Sequence, residues 1–200
     1  MKKESDNIIK EIKKYALVNK VPIMLDEGID FLTTFIQNNA IKNILEIGSA
    51  IGYSAIMMAL TNTKIKITSI ERDEERYLEA VKNIKKMGLE NQITLIFKDA
   101  LDVKLDNQRF DLIFIDAAKG KNKEFFELFE QNLAPKGYFI TDNIKFHGFL
   151  ELAESEITSK NMRGLVRKIK DYIEFLKTNP NYKTDFYDAG DGVAVSSKIE

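Results

Sequence analysis

Apolar residues at Ile8, Ile9, Ile12, Tyr15 and Ala16 recur at helical spacing with lysines opposite, which predicts a helix over about 4–18. The stretch "VPIM" (21–24) interrupts it. Asp26 is the expected N-cap of a second helix, whose apolar side is Ile29, Phe31, Leu32, Phe35 and Ile36. From Ile41 onward the pattern changes to short apolar runs alternating with longer amphipathic segments. The runs 43–47, 66–70, 93–97, 110–115 and 138–141 predict strands, and 53–61, 74–87 and 121–133 predict the helices between them. Strands separated by helices of that length build right-handed βαβ units on a parallel sheet. "LIFI" and "YFI" are apolar on both faces, as strands covered from both sides must be. At the end, "YKTDFYD" (182–188), a Gly-Asp-Gly turn and "VAVSS" (193–197) predict a hairpin, so the sheet is expected to finish antiparallel.

The expected architecture is one doubly wound α/β domain over 1–200, with a helical N-terminal extension (1–40) before a cofactor-binding core (41–200). Two hundred residues suffice for one sizeable core. The absence of cysteine removes thiol catalysis, thiolate metal sites and disulfides, and fits a reducing cytoplasm, the expected location. The basic start "MKKESDNIIKEIKKYAL" lacks the apolar core of a signal peptide, and no apolar run reaches membrane-spanning length, so no membrane association is expected. A net charge of −1 gives no broad nucleic-acid footprint, although it leaves room for a local patch.

Candidate chemistry begins at "NILEIGSAIGYSA" (43–55), where a strand meets two glycines and then a helix. A ligand of such a sheet lies beyond the carboxyl ends of the strands. A dinucleotide fingerprint counted from Gly48 would need glycine where Ala50 and Tyr53 stand, and no P-loop Gly-Lys-Ser/Thr is present. The turn therefore points to a nucleoside without phosphates, and S-adenosylmethionine fits. Glu46-x-Gly48-x-Ala50-x-Gly52 resembles the first motif of class I methyltransferases. Glu71 ends the second strand, twenty-three residues after Gly48, where a carboxylate accepts from ribose hydroxyls. Asp99 and Ala100 follow the third strand, where they would meet the adenine. The competing reading is a purely structural turn with Glu71 a solvated strand end.

In "FDLIFIDAAKG" (110–120), Asp116 follows the fourth strand and Lys119 comes three residues later. "GYFITDN" places Asp142 and Asn143 at the end of the fifth strand. If those strands are neighbours, two carboxylates and an amide oxygen meet at one edge of the crevice, a hard-ligand set suited to Mg²⁺ or Mn²⁺. Each aspartate alone could equally be a turn former. Lys119 beside a divalent cation would have a lowered pKa, which suits a general base; the alternative is a solvated lysine.

"EIGSAIGYSA", "IDAAKG" and "TDN" together resemble the cation-dependent O-methyltransferases of the catechol and caffeoyl-CoA type, over nearly the whole chain. "ERDEERYLEA", "FDLIFIDAAKG" and "TDNIKFHG" resemble more particularly the bacterial branch that methylates 5-hydroxyuridine at the tRNA wobble position. The resemblance implies a class I methyltransferase, Rossmann-like seven-stranded sheet and a homodimer formed through the N-terminal helices. It implies Mg²⁺ at Asp116, Asp142 and Asn143, with Lys119 and Asp116 catalytic. It places Glu46, Gly48, Ala50, Tyr53, Ser54, Glu71, Arg72, Asp99, Ala100 and Asp116 around the cofactor, and Ile23 and Met24 at its methionine end. A catechol and a 5-hydroxyuracil both offer adjacent oxygens to one cation, so the site alone does not choose between them; the resemblance makes 5-hydroxyuridine of tRNA the expected acceptor, with a small catechol-like molecule as the alternative. A non-catalytic cofactor-binding or RNA-binding module is the alternative of another class.

Arg163, Arg167 and Lys170 form a basic stripe at helical spacing that would meet the phosphates of an anticodon loop; a plain solvated face is the competing reading. His147, the only histidine, is either a substrate contact after the presumed metal strand or a loop histidine without a role, and Phe125, Phe126, Leu128 and Phe129 are expected to pack on the sheet and carry no binding role. The stretch 144–161 is either a cover over the site or an ordinary surface loop.

Overall fold

The structure is a computed structural model that describes residues 2–199. Its strands are β1 (Asn43–Ile47), β2 (Lys66–Glu71), β3 (Ile93–Phe97), β4 (Phe110–Ile115), β5 (Leu133–Asp142), β6 (Tyr182–Tyr187) and β7 (Val193–Lys198). They form one sheet in the order β3-β2-β1-β4-β5-β7-β6. β1 to β5 run parallel, and β7 is antiparallel to both β5 and β6. The sheet is thus the seven-stranded, Rossmann-like sheet expected, with its antiparallel C-terminal hairpin.

Six α-helices among the described residues cover it: α1 (Lys2–Asn19), α2 (Asp26–Asn38), α3 (Tyr53–Leu60), α4 (Glu74–Lys86), α5 (Asn122–Phe129) and α6 (Lys160–Thr178). Strand alternation sorts the core into two layers. On one face Ile44, Ile67 and Leu112 pack with Ile12 and Ala16 of α1, Leu32 and Ile36 of α2, Ile56 of α3 and Ile84 of α4. On the other, Leu45, Ile47, Ile113 and Ile115 pack with Phe125, Phe126 and Phe129 of α5 and Tyr172 and Leu176 of α6. The Phe126 and Phe139 rings stack with centroids 3.9 Å apart. No helix among the described residues is long and apolar enough to cross a membrane.

Beyond shifts of one or two residues at several element ends, three differences from the sequence expectation have a visible cause. The N-cap of α2 is Leu25, and Asp26 instead meets Lys13 Nζ at 2.5 Å, tying α2 to α1. The third core helix ends at Phe129 and continues as a 3-10 turn (Glu130–Asn132), because Asn132 donates to the carbonyls of Leu105 and Gln108 and pulls the chain away from the helix axis. β5 begins at Leu133 rather than 138: Leu133 pairs with Phe110, and the ladder is then interrupted before Leu112 meets Tyr138. Pro135 and Gly137 in that interruption hide the strand from a propensity reading.

The strand order reverses between β1 and β4, so the turns after these two strands flank the crevice where ligands of open α/β sheets lie. β4 and β5 are neighbours with Ile115 opposite Thr141, which brings Asp116 and Asp142 one step beyond a paired position.

Candidate active site

At that crevice the protein has a cavity of about 370 Å³. Its walls come from the segment before α2 (Ile23, Met24), the turn after β1 (Gly48, Ala50) and the end of β2 (Glu71, Arg72). Asp99 and Ala100 after β3, Asp116 and Lys119 after β4, and Asn143 after β5 complete the circuit. Every one of these residues was expected from the sequence.

Gly48 is required by close approach as much as by conformation. Its φ is +93°, and a Cβ there would stand 2.5 Å from the Asp116 carbonyl oxygen and 2.9 Å from Ala117 Cα. The Asp116 amide donates to the Ile47 carbonyl at 3.0 Å, so the β1 turn and the Asp116 loop are in direct backbone contact. Glu71 shapes the other side of the turn. Its Oε2 accepts from the Ala50 amide at 2.8 Å, and its Oε1 accepts from the amides of Arg72 and Asp73. Asp99 accepts from the Leu101 amide and pairs with Arg72 at 3.1 Å. The Leu101 hydrogen bond, followed by that of Arg72, holds the Asp99 carboxyl below its ordinary pKa.

On the opposite side, Lys119 Nζ lies 2.6 Å from Asp116 Oδ1, with both side chains mostly buried. Asp142 is 2% exposed. Burial first, and the Asp116 carboxylate second, push its pKa well above the ordinary carboxylate range; the nearby Lys119 charge acts against them. Among the described residues no group of three or more His, Cys, Asp or Glu is placed to hold a metal ion. The candidate set is different in kind: the Asp142 carboxyl, whose ionisation the Asp116 carboxylate opposes, Asp116 itself, and the Asn143 amide. That donor set fits a hard divalent cation, which would relieve the repulsion.

Four expected residues do not line the cavity. Glu46 is fully buried beneath it, with Ser54 Oγ donating to Oε1 at 2.5 Å and Ser69 Oγ donating to Oε2. Burial raises the Glu46 pKa to about 7 despite these two hydroxyls. Ser54 is occupied by that contact, and the buried Tyr53 turns its hydroxyl toward Asp26. Asp142 sits behind the wall that Asn143 presents.

Other lining residues escaped the sequence reading. Arg76 and Lys98 add cations beside Arg72, and Phe125, Phe146 and His147 add rings. Phe125 thus stands at the cavity against expectation, and His147 takes the cavity-side place that was one of its two readings. Phe126 and Phe129 do pack in the core. Adjacent helix positions point roughly 100° apart, which separates Phe125 from Phe126, but only the tertiary fold shows which direction meets the cavity.

Two of the three residues in the basic stripe on α6 have partners within the protein. Arg163 donates to the carbonyl of Ile157 at 2.5 Å and of Thr158 at 3.2 Å, and Arg167 pairs with Glu154. Both hold the stretch after β5 against α6, while Lys170 is exposed. None of the three lines the cavity.

A family profile described as O-methyltransferase matches residues 2–199. The chain belongs to the O-methyltransferase family. It is an S-adenosylmethionine-dependent O-methyltransferase. A solved structure from Staphylococcus aureus, named after the caffeoyl-CoA O-methyltransferases, is 39% identical with a TM-score of 0.91, covering 96% of this chain and 92% of that one. A flavonoid 3',5'-methyltransferase from Vitis vinifera is 29% identical, over 94% of this chain and 83% of its own length. A catechol O-methyltransferase from Niastella koreensis is 34% identical over a shorter stretch, 57% of this chain and 54% of that protein.

Proposed function

We propose that this methyltransferase transfers the methyl group of S-adenosylmethionine to one of two adjacent oxygens on a small planar acceptor of the catechol class, with a divalent cation assisting. The observation that carries this reading is the β4–β5 edge. Asp116, Asp142 and Asn143 end two neighbouring strands, and Lys119 sits against Asp116 at the same cavity that the β1 turn borders. The relatives named for catechol and flavonoid substrates support the acceptor class.

The donor's sulfonium makes the methyl carbon electrophilic and leaves as a neutral thioether. In this reading Glu71 accepts from its ribose, Asp99 and Ala100 meet its adenine, and Ile23 and Met24 enclose its methionine end. Asp116, Asp142 and Asn143 would hold the cation, whose chemistry is to stabilise the acceptor as an oxyanion and fix its direction. On the same reading Lys119, paired with Asp116 as an ammonium, first gives a proton to water once the cation holds Asp116, and the neutral amine then takes the acceptor's hydroxyl proton. Orientation of this kind is worth effective molarities on the order of 10⁵ M or more. The N-terminal helix exposes Leu17 and Val18, at 81% and 69%, and we read it as the contact of a homodimer, which sedimentation velocity checks.

A second reading takes 5-hydroxyuridine of tRNA as the acceptor, because it presents the same pair of oxygens. Arg76 and Lys98, on the cofactor side of the cavity wall, would be within the reach of a polyanionic acceptor's phosphates and not of the methylated ring. One experiment separates the two: labelled methyl transfer to a simple dihydroxybenzene and to bulk tRNA from cells lacking this protein, each with Mg²⁺ and with a chelator. The catechol reading expects Mg²⁺-dependent labelling of the ring compound. Labelling of tRNA alone moves the assignment to the second reading, and full transfer in chelator rejects the cation.

A further inference from the structure

The turn of the C-terminal hairpin reaches back into the active site. Gly190, Asp191 and Gly192 precede β7, whose first residue pairs with Asp142. Gly192 lies against the loop that follows β5: its carbonyl accepts from the Ile144 amide at 3.1 Å, and a Cβ on it, at φ +83°, would meet Lys145 Cγ at 2.7 Å. Gly190 lies against the start of α2, 3.3 Å from the Gly28 amide nitrogen for an added Cβ. Between them the Asp191 carboxylate, 8% exposed, takes the His147 amide on Oδ1 at 2.7 Å. Its Oδ2 makes no hydrogen bond and faces His147 Nδ1 at 3.2 Å. The Asp191 carbonyl accepts from the Lys145 amide at 3.0 Å.

This anchoring holds a costly loop conformation. Asn143, Phe146 and His147 have φ of 59°, 50° and 54°, a region L side chains rarely adopt. A phenylalanine there persists only when its surroundings impose it. Phe146 and His147 both face the cavity, on the wall shared with Asn143.

We propose that Asp191 is a positioning residue that fixes Phe146 and His147 as the acceptor-end wall, so that a planar aromatic acceptor is held ring-on-ring with its two oxygens toward Asn143. This rests on the acceptor class proposed above and extends it from the oxygens to the ring that bears them. It gives the Gly-Asp-Gly turn a task in acceptor selection and none in cofactor binding.

The test compares Asp191→Ala with Asp191→Asn. Both remove the same negative charge from the neighbourhood of Asp142, but only the asparagine keeps an oxygen for the His147 amide. Asp191→Ala is expected to raise KM for a dihydroxybenzene by about 10-fold, the loss of one buried hydrogen bond, with kcat and S-adenosylhomocysteine affinity little changed. Asp191→Asn restores most of that loss. Amide exchange at His147, measured on the protein with S-adenosylhomocysteine, is expected to accelerate about 10-fold in the alanine variant only. An unchanged KM in Asp191→Ala, or equal effects in both variants, overturns the proposal, as does unaltered exchange. If the wild type methylates no dihydroxybenzene while exchange still depends on Asp191, the acceptor reading and the ring clamp built on it fall, and the anchoring by Asp191 stands.

Discussion

Replacing Glu46 by glutamine isolates the electrostatic cost of one buried carboxylate. Glu46 lies in the centre of β1 with no exposed surface, and burial is the largest cause of its raised pKa. The rise from 4.5 to about 7, at about 1.4 kcal/mol per pH unit, corresponds to about 3 kcal/mol. The sign follows from proton binding. Between these two values the folded protein keeps a proton that the unfolded chain has released, so stability falls as pH rises through the interval. The contribution is intact below pH 4.5 and lost above about pH 7. Glutamine carries no charge at either extreme, and its carbonyl and amino ends can pair with the Ser54 and Ser69 hydroxyls. Asp142 shifts in the same direction, but it is present in both proteins and cancels in their difference. Urea unfolding followed by circular dichroism at pH 5 and pH 8 should therefore show Glu46→Gln gaining on the wild type by about 2 to 3 kcal/mol between the two conditions. Parallel stability profiles would refute the reasoning, since they would mean that Glu46 titrates alike in the folded and unfolded chain.

Three further outcomes are expected. Gly48→Ala should cost about 2 kcal/mol or more, from its left-handed backbone and the clash with the Asp116 carbonyl, whereas Gly88→Ala, at φ +65° with nothing within 4 Å, should cost about 1 kcal/mol; thermal unfolding measures the gap. Tyr172→Phe removes the partner of Thr141 Oγ1, 2.7 Å away in the core, and should cost about 1 to 3 kcal/mol in a denaturant titration. Asp142→Ala should reduce methyl transfer by at least about 100-fold, more than the loss of an outer-shell partner typically costs, while calorimetry finds S-adenosylmethionine affinity largely intact.

The strands that carry the chemistry were legible because their signal is local. β1, β3 and β4 are uninterrupted apolar runs bounded by polar residues, and their ends coincide with the expected ones. A short sequence step from each end then leads to Gly48, Asp99 and Asp116 at the cavity. What escaped depends on long-range contacts. Glu46 has the spacing of a pocket acid, yet Ser54 and Ser69 hold it below the floor, and no periodicity reports that two hydroxyls eight and twenty-three residues away face inward. The α6 stripe is regular, but its partners at 154, 157 and 158 lie on a stretch with no repeating pattern, so the basic residues read as free for a ligand. His147 has no motif of its own; its place follows from Asp191, forty-four residues later.

The two buried carboxylates with raised pKa values differ in a way that explains the polarity of the cavity. Glu46 has hydroxyl donors on both oxygens, which ease its ionisation within the fold without undoing the effect of burial. Around Asp142 the Asp116 and Asp191 carboxylates both oppose ionisation, and the Asn143 amide and the Lys119 charge only partly offset them. Negative potential is therefore concentrated at the β4–β5 edge and left unbalanced by the protein itself. A cation bound there would gain from all three carboxylates while satisfying the one that pays most for burial, and a sulfonium beside it would feel the same field. An acceptor arriving as a neutral hydroxyl can lose its proton in this setting only where positive charge has already been gathered. Under the proposed mechanism the cation would therefore precede the acceptor, which would then meet a ring wall that Asp191 already holds in place.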